Sequence, residues 1–185
     1  YDLNQVMNED EVKEVLKKSK NKKAIGIENL PNEVLKNSIS LKILLPLFNK
    51  IFEIGLIPTI WRKAVLKPIP KSTKSDPRIP LQYRGISLLS TVYKMYSSIL
   101  NNRLVNFCEM HNIFADEQNG FRVGRSCDDH CFVLSTNIRQ RISNCLSTFV
   151  AFVDFKKALI VLIKFYIFFY KLSLIGIKGK ILNIL

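Results

Sequence analysis

A single carboxylate ends a run of apolar residues in the stretch STFVAFVDFKKA, Ser147 to Ala158. Five apolar residues precede Asp154 and Phe155 follows it, and no other aspartate or glutamate occurs between His130 and the last residue. Such a run predicts a β-strand over Phe149–Phe155. A carboxylate buried in it without a partner would cost roughly several kcal/mol. We therefore expect the strand end to be exposed or to face a positive charge.

Asp154 has two interpretations on the residues alone. A carboxylate held at the end of a strand is a hard oxygen ligand that suits Mg²⁺, and pairs of such ions assist phosphoryl transfer. Alternatively, Asp154 caps a turn or pairs with Lys156 or Lys157. The residues leave both interpretations open.

The charge of the chain points to an anionic partner. The formal net charge is +13. Because 48% of the residues are hydrophobic, the chain can build a core, so it is not simply a disordered basic tail. Nucleic acid is the first candidate and an anionic membrane surface the second, whereas any single lysine can simply be solvated. The basic residues are spread along the chain, as in a face built from several elements: Lys17, Lys18, Lys20, Lys22, Lys23, Lys63, Lys67, Lys71, Lys74, Arg78, Arg84, Arg122, Arg125, Arg139 and Arg141.

The cellular location is predicted from the first residues and from the cysteines. The start of the chain lacks the layout of a signal peptide, and four cysteines in a basic chain are typical of free thiols. We expect an intracellular protein, cytoplasmic, nuclear or both.

The pairs Cys108/His111 and Cys127/His130, with Cys131 beside the second, also allow a zinc site, although their spacing is not that of a common zinc finger.

The helices and strands follow from periodicity and caps. Asn8 is a predicted N-cap of a helix, a helical pattern runs over Leu41–Ile54 with a stop at Gly55, and KAVLKPIPK is extended. Further helices are predicted over Ser90–Leu104 and from Asp128 towards Arg141. The apolar stretch 159–177 is long enough to span a bilayer, but Lys164 and Lys171 argue against a span.

Four motifs occur in the order seen in one known family. They read WRKAVLKPIPK, YRGISLLS, EQNGFRVGRS and FVAFVDFKKA. Together they resemble the reverse transcriptase domain of non-LTR (LINE-type) retrotransposons, whose blocks are similar to W-x-x-A-x-x-x-P-I-P-K, Y/F-R-x-I-S-L, Q-x-G-F-R and D-x-x-K-A-F-D. The resemblance runs from about Lys22 to Ala158 and resumes at YKLSLIGIKGKIL.

The resemblance implies a fold and a division of the chain. The fold would be helix-rich α+β, with the fingers and the beginning of the palm of an incomplete right-hand polymerase. Residues 1–30 would form an N-terminal helix and linker, residues 31–145 a fingers-like region, and residues 146–185 a partial palm with the first catalytic strand and a following helix. Because further palm strands are lacking, we expect that strand to have an exposed edge and the tail to pack poorly.

The resemblance also implies roles for residues. Asp154 matches the first metal-binding aspartate, with the backbone carbonyl of Phe155 as its companion ligand for Mg²⁺ or Mn²⁺. Lys71 and Arg84 match residues that grip the triphosphate of the incoming nucleotide, the alternative being an ordinary surface pair. The Q-x-G-F-R block and a following arginine would contact nucleic acid: Gln118, Gly120, Phe121, Arg122 and Arg125. For Phe121 we expect core packing rather than stacking beneath a base pair, and for the two arginines phosphate contacts.

Two departures from the family pattern limit the expected activity. The aromatic residue that screens the sugar is replaced by Leu159, and the next acid by Ile160. The paired carboxylates of the Y/F-A-D-D block are absent from these 185 residues. We therefore expect weak metal binding and no DNA synthesis by this chain alone.

Three functions remain open at this point. The first is a reverse transcriptase fragment acting with an RNA template, a DNA primer, deoxynucleoside triphosphates and the rest of the polymerase, without a small-molecule cofactor. The second is a non-catalytic nucleic-acid-binding remnant. The third is a membrane-associated protein that uses residues 159–177.

Overall fold

The computed structural model describes residues 3–73, 76–155 and 165–185. Within these ranges the chain is helix-rich with one two-stranded sheet, which confirms the α+β prediction. We number the helices in chain order: α1 Glu9–Lys18, α2 Asn32–Leu35, α3 Ser38–Ile54, α4 Thr91–Met110, α5 Cys127–Ser143, α6 Phe165–Leu174 and α7 Lys180–Ile184. The strands are β1 Ala64–Pro70 and β2 Tyr83–Leu89, and short 3₁₀ turns span Thr59–Arg62 and Pro80–Gln82.

The chain divides into two compact units. The first contains the described residues up to Leu104 together with Ile177–Leu185, and the second contains the described residues from Val105 to Gly176. Helix α4 therefore contributes to both units. The three-part division into linker, fingers and palm stays a prediction.

The core of the first unit is built around an aromatic cluster. Phe48 of α3 and Tyr96 of α4 are fully buried, with ring centroids 5.4 Å apart, and Trp61 lies 5.6 Å from Tyr96. Burying these large rings removes much apolar surface from water, at roughly 25 cal/mol per Å². The cluster joins α3, the turn before β1 and α4.

Caps explain where the first helices begin and end. The Asn8 side chain accepts from the N–H of Glu11, whose carboxylate accepts from the N–H of Asn8, so the predicted N-cap of α1 is confirmed. Asn37 caps α3 through the N–H of Ser40, so this helix begins at Ser38 rather than at the predicted Leu41. The helix ends at Ile54, and the next residue, Gly55, stops it as predicted with a left-handed φ of 73°.

The tail is exposed in one part and packed in another: α6 leaves Ile167, Phe168, Tyr170 and Leu174 exposed, as expected, whereas the last residues are packed. Ile177 and Ile181 are fully buried in the first unit and Ile184 is nearly so. The side chain of Asn4 accepts from the N–H of Ile181 at 3.1 Å and so satisfies a free donor at the start of α7. The expectation of poor packing is therefore wrong for Ile177–Leu185 alone, where three isoleucines are buried in the core of the first unit.

The second unit contains α5, whose ends are well defined. A capping box between Ser126 and Asp129 begins the helix, which agrees with the predicted position within two residues. At its other end Cys145 has a φ of 55°, and the N–H groups of Cys145 and Leu146 donate to the carbonyls of Ile142 and Arg141. This is a Schellman motif, with cysteine at the position that usually holds glycine.

The predicted strand over Phe149–Phe155 does not form. These residues have no regular secondary structure and are exposed, with Phe149 97% and Phe152 84% exposed. A strand requires a neighbour for its backbone N–H and C=O groups, and the two strands in the described part of the chain pair with each other. Apolar sequence alone therefore did not produce a strand here.

Candidate functional site: a basic ribbon and an arginine-anchored loop

The two strands form an antiparallel ribbon that carries Lys67, Lys71 and Arg84. Ile69 pairs with Arg84 and Lys67 with Ile86. The N–H of Lys71 donates to the carbonyl of Gln82 at 2.8 Å, so the pairing continues one step beyond β1. The ribbon therefore positions residues of two separate sequence motifs.

Alternation along the strands places the three basic residues on one face. Residues directly opposite each other share a face, and so do residues two apart in a strand. Lys67, Lys71 and Arg84 therefore point to the same side, with Lys71 and Arg84 as diagonal neighbours roughly 7–8 Å apart. One face of the ribbon thus carries a compact positive charge.

The ribbon is accessible to a large anionic ligand. Every residue of β1 is exposed, and Arg84 is exposed in β2. The Lys71 ammonium donates to the Leu81 carbonyl at 2.7 Å, and it has two further protons for a ligand. A forked guanidinium beside an ammonium is a suitable pair for oxygen atoms of a polyphosphate.

In the second unit Arg122 anchors the loop between α4 and α5. Its Nε and Nη2 donate to the two carboxylate oxygens of Glu109 at 3.0 and 2.8 Å, and Nη1 donates to the Ala115 carbonyl at 3.0 Å. The guanidinium lies 5.4 Å from the ring centroid of Phe114, and the side chain is only 10% exposed. The hydrogen bonds from Arg122 lower the pKa of Glu109 below its usual range. Arg122 thus serves the loop itself, and its predicted phosphate contact stays a prediction.

Phe121 is presented to solvent by this loop. Its side chain is 98% exposed, so the expectation that it packs in the core is wrong. The physical reason is the backbone, because Phe121 has a φ of 63° while its neighbour Arg122 is anchored by Glu109. Gln118, Gly120 and Arg125 are exposed in the same unit. Of the five residues predicted to contact nucleic acid, four are therefore accessible and one is largely buried.

Asp154 and Phe155 are exposed in the second unit, after the segment that was predicted to be a strand. Leu159 lies outside the described residues. A carboxylate and a carbonyl are ligands that suit Mg²⁺, but two oxygens do not make a site. Within the described ranges no three histidine, cysteine, aspartate or glutamate side chains come together to hold a metal.

The same finding overturns the zinc alternative. Cys108 is buried near the end of α4, whereas Cys127 and Cys131 are exposed on α5. Cys108, His111, Cys127 and His130 do not come together in any group of three that could hold a metal, and of the two pairs only Cys127 and His130 lie within one helix, α5.

Sequence reasoning missed an ion pair within each unit: Arg103 with Glu11 in the first, and Arg122 with Glu109 in the second. A signal for the first was available, since Arg103 lies on the apolar face of α4 that contains Tyr96, Ile99 and Leu100. An arginine on a core face requires an acidic partner. No signal in the sequence indicated that Glu109 is the partner of Arg122.

The described residues thus define a helix-rich α+β protein with an exposed basic ribbon. No protein-family model matches the chain. It is 31% identical over 152 residues to the probable RNA-directed DNA polymerase from transposon BS of Drosophila melanogaster, and 34% identical over 126 residues to that from transposon X-element of the same species. It is 26% identical over 151 residues to the RNA-directed DNA polymerase from mobile element jockey, also of Drosophila melanogaster.

The alignments cover most of this chain but a small part of each relative. They include 80%, 66% and 80% of the chain, which spans only 17%, 13% and 16% of the relatives' lengths. The resemblance to the reverse transcriptases of non-LTR retrotransposons, inferred above from the motifs, is therefore confirmed. The membrane alternative has no such support, and no helix in the described ranges is both long and apolar enough to cross a bilayer. Residues 159–164 of the proposed span lie outside those ranges.

Proposed function

We propose that this chain is part of the reverse transcriptase domain of a retrotransposon and that its β1–β2 ribbon binds the incoming deoxynucleoside triphosphate. The observation that carries the proposal is the register of the ribbon, which places Lys71 and Arg84 as diagonal neighbours on one exposed face. These two residues come from the two motifs that resemble the nucleotide-gripping blocks of the family. The relatives named as RNA-directed DNA polymerases support the same function.

Each residue has a distinct task in this proposal. Negative charge grows on the triphosphate as the leaving group departs, and the Lys71 ammonium with the Arg84 guanidinium stabilises it. Residues 31–145 act as fingers and residues 146–185 as the start of the palm. The RNA template and DNA primer lie against the loop of Gln118, Gly120, Phe121, Arg122 and Arg125, with Leu159 at the position facing the sugar.

Asp154 supplies one carboxylate towards Mg²⁺ or Mn²⁺, and the Phe155 carbonyl supplies a second oxygen. One carboxylate and one carbonyl oxygen bind such a cation weakly, because the cation needs more negative charge and a second carboxylate ligand. DNA synthesis therefore requires carboxylates beyond those described, and the chain alone does not polymerise DNA. A primer-extension assay with this chain is expected to give no product. Template-directed product that disappears in Asp154→Ala would contradict this expectation.

Nucleotide binding tests the proposal without requiring synthesis. A fluorescent deoxynucleoside triphosphate is titrated with the wild-type chain, Lys71→Ala, Arg84→Ala and the control Lys50→Ala. Because a hydrogen bond to a charged group contributes about 1.5–3 kcal/mol, each ribbon variant is expected to weaken binding roughly 10- to 100-fold. Lys50 is on α3 beside Glu53 and should have no effect. Equal affinity of all four proteins would overturn the proposal, and RNA binding without nucleotide binding would favour a non-catalytic remnant.

A further inference from the structure

Helix α3 carries apolar side chains on two different sides. One set is buried in the first unit: Leu44, Phe48, Ile51 and Phe52. The other set is exposed, by 68, 60, 39 and 52%, respectively: Ile39, Ile43, Leu47 and Ile54. The exposed residues recur at intervals of four and seven, which places them on one side of the helix. We call them the α3 stripe. Because a surface helix normally turns polar residues away from the core, an apolar stripe there indicates a surface that a partner covers.

The α3 stripe is long enough for contact with another helix. Ile39 and Ile54 are fifteen residues apart, or about 22 Å at 1.5 Å per residue. Lys50 lies among the stripe residues, but its ammonium is 3.3 Å from a carboxylate oxygen of Glu53, and its methylene groups are apolar. The stripe is therefore an apolar surface about four helical turns long.

Two opposite charges flank the stripe. Lys42 and Glu53 are exposed and eleven residues apart, which is close to three helical turns, so they lie on the same flank. The midpoint between them falls beside Leu47, near the middle of the stripe. A partner with charges of one sign could satisfy only one of these two residues. An antiparallel copy of α3 supplies a glutamate opposite Lys42 and a lysine opposite Glu53.

We propose that the α3 stripe is a homodimer contact, in which α3 packs antiparallel against α3 of a second copy. The two-fold axis passes beside Leu47, and Ile39 of each copy lies within one helical turn of Ile54 of the other. The contact is isologous, because the same residues serve on both sides. The apolar residues supply affinity, and the pairs between Lys42 and Glu53 fix the direction and register of the helices. This inference goes beyond the proposed nucleotide grip and does not depend on it.

The dimer is expected to be weak. Each copy contributes mainly one helix, and interfaces that bury less than about 1,200 Å² in total are typical of transient complexes. The net charge of +13 also repels two copies, although at about 0.15 M salt this repulsion is screened beyond about 8 Å. Dimers should therefore form in the micromolar range and above at this salt concentration.

Sedimentation equilibrium tests the contact over a range from sub-micromolar to near-millimolar protein. A reducing agent is present, because Cys127, Cys131 and Cys145 are exposed and could link copies. Leu47→Asp places two carboxylates beside the two-fold axis and is expected to raise the dissociation constant at least about tenfold. A wild-type chain that is monomeric throughout, or a dimer that is equally stable in Leu47→Asp, would overturn the proposal.

Phe149→Ser is the matched control for exposed apolar surface. Phe149 is 97% exposed but belongs to the second unit, so its replacement should leave the dissociation constant unchanged. Loss of the dimer in this variant would show that copies associate through the second unit instead. Urea unfolding followed by Trp61 fluorescence checks that each variant is folded. Leu47→Asp should bind the fluorescent nucleotide as the wild type does, so failure of the dimer and failure of the nucleotide grip are distinguishable.

A charge exchange at two exposed positions tests the direction of the helices. Lys42→Glu and Glu53→Lys each bring like charges together across the axis, so each variant should dimerise several-fold more weakly than the wild type. The double variant Lys42→Glu/Glu53→Lys restores opposite charges and should recover the wild-type dissociation constant. A mixture of the two single variants should favour heterodimers, because every charge then meets its opposite. No recovery in the double variant, or no preference for heterodimers, would overturn the antiparallel contact.

Discussion

The guanidinium of Arg103 binds both carboxylate oxygens of Glu11. Nε lies 2.6 Å from Oε1 and Nη2 lies 2.8 Å from Oε2. The arginine side chain is 5% exposed and the glutamate side chain 22%. The remaining donors of the fork bind the backbone carbonyls of residues before α1, those of Leu3, Gln5 and Val6. This pair therefore fixes α1 and the segment before it to α4.

Replacement of Arg103 by methionine is expected to destabilise the first unit by about 3–5 kcal/mol, because Glu11 would be left partly buried without its partner. Urea unfolding followed by Trp61 fluorescence measures the loss. Arg78→Met is the matched control, since Arg78 pairs with Asp76 on the surface and is 88% exposed. The control should keep the wild-type midpoint. Equal midpoints for Arg103→Met and wild type would show that the pair does not hold the unit together.

The same pair makes stability depend on pH. Burial raises the pKa of Glu11, but the hydrogen bonds from Arg103 and Asn8 outweigh burial and lower the pKa below its ordinary value. A lowered folded pKa contributes stability that is complete above the ordinary carboxyl pKa of about 4.3 and is lost as the pH falls through the folded value. We expect the stability difference between wild type and Glu11→Gln to shrink on acidification from pH about 5 downwards. A difference that is constant with pH would contradict the assignment.

Gly26 is predicted to tolerate no side chain. A Cβ atom at this position would lie 2.3 Å from the Leu89 carbonyl oxygen, which belongs to the backbone and cannot move away easily. Gly26→Ala is therefore expected to cost about 1–3 kcal/mol, the usual range for overpacking. Gly120→Ala is the control, because nothing lies within 4 Å of its added Cβ. Thermal unfolding of the two variants should differ, and equal midpoints would refute the close approach.

Features that depend on local chemistry could be predicted from the sequence. Asn8 and Gly55 bound helices as expected, because caps act within a few residues. The motif around Lys71 and the motif around Arg84 were recognised separately, but their approach depends on pairing between strands. The register of such a pair depends on the turn and on the side-chain patterns of both strands together, which neither segment displays alone.

Features that depend on distant partners were missed for the same reason. Phe149–Phe155 has the composition of a strand, yet composition does not supply the neighbouring strand that would satisfy its backbone. Phe121 has the composition of a core residue, yet its exposure follows from the anchoring of Arg122 by Glu109. In the first case no partner strand is found among the described residues, and in the second the Arg122–Glu109 pair joins residues 13 positions apart.

Replacement of Cys145 by glycine is expected to stabilise the C-terminal end of α5. Its φ of 55° is unfavourable for a residue with a Cβ atom and favourable for glycine. Cys145→Gly should therefore slow hydrogen exchange of the last amides of α5 by an amount that corresponds to about 0.5–1 kcal/mol. Cys131→Ala, in the interior of the same helix, provides a control for thiol loss. Faster exchange in Cys145→Gly than in wild type would contradict the prediction.

Phe121 is expected to contribute to RNA binding and not to stability. Its ring is 98% exposed, so Phe121→Ala removes no buried surface and should leave the unfolding midpoint unchanged. If the ring stacks on a base, the substitution should cost about 1–3 kcal/mol of binding to a single-stranded oligomer, measured by titration. Val123→Ala is the matched control, because Val123 is 89% exposed in the same loop and offers no aromatic surface. RNA affinity equal in the two variants would mean that Phe121 does not stack on bases, and a lowered midpoint would mean that its ring is needed for folding.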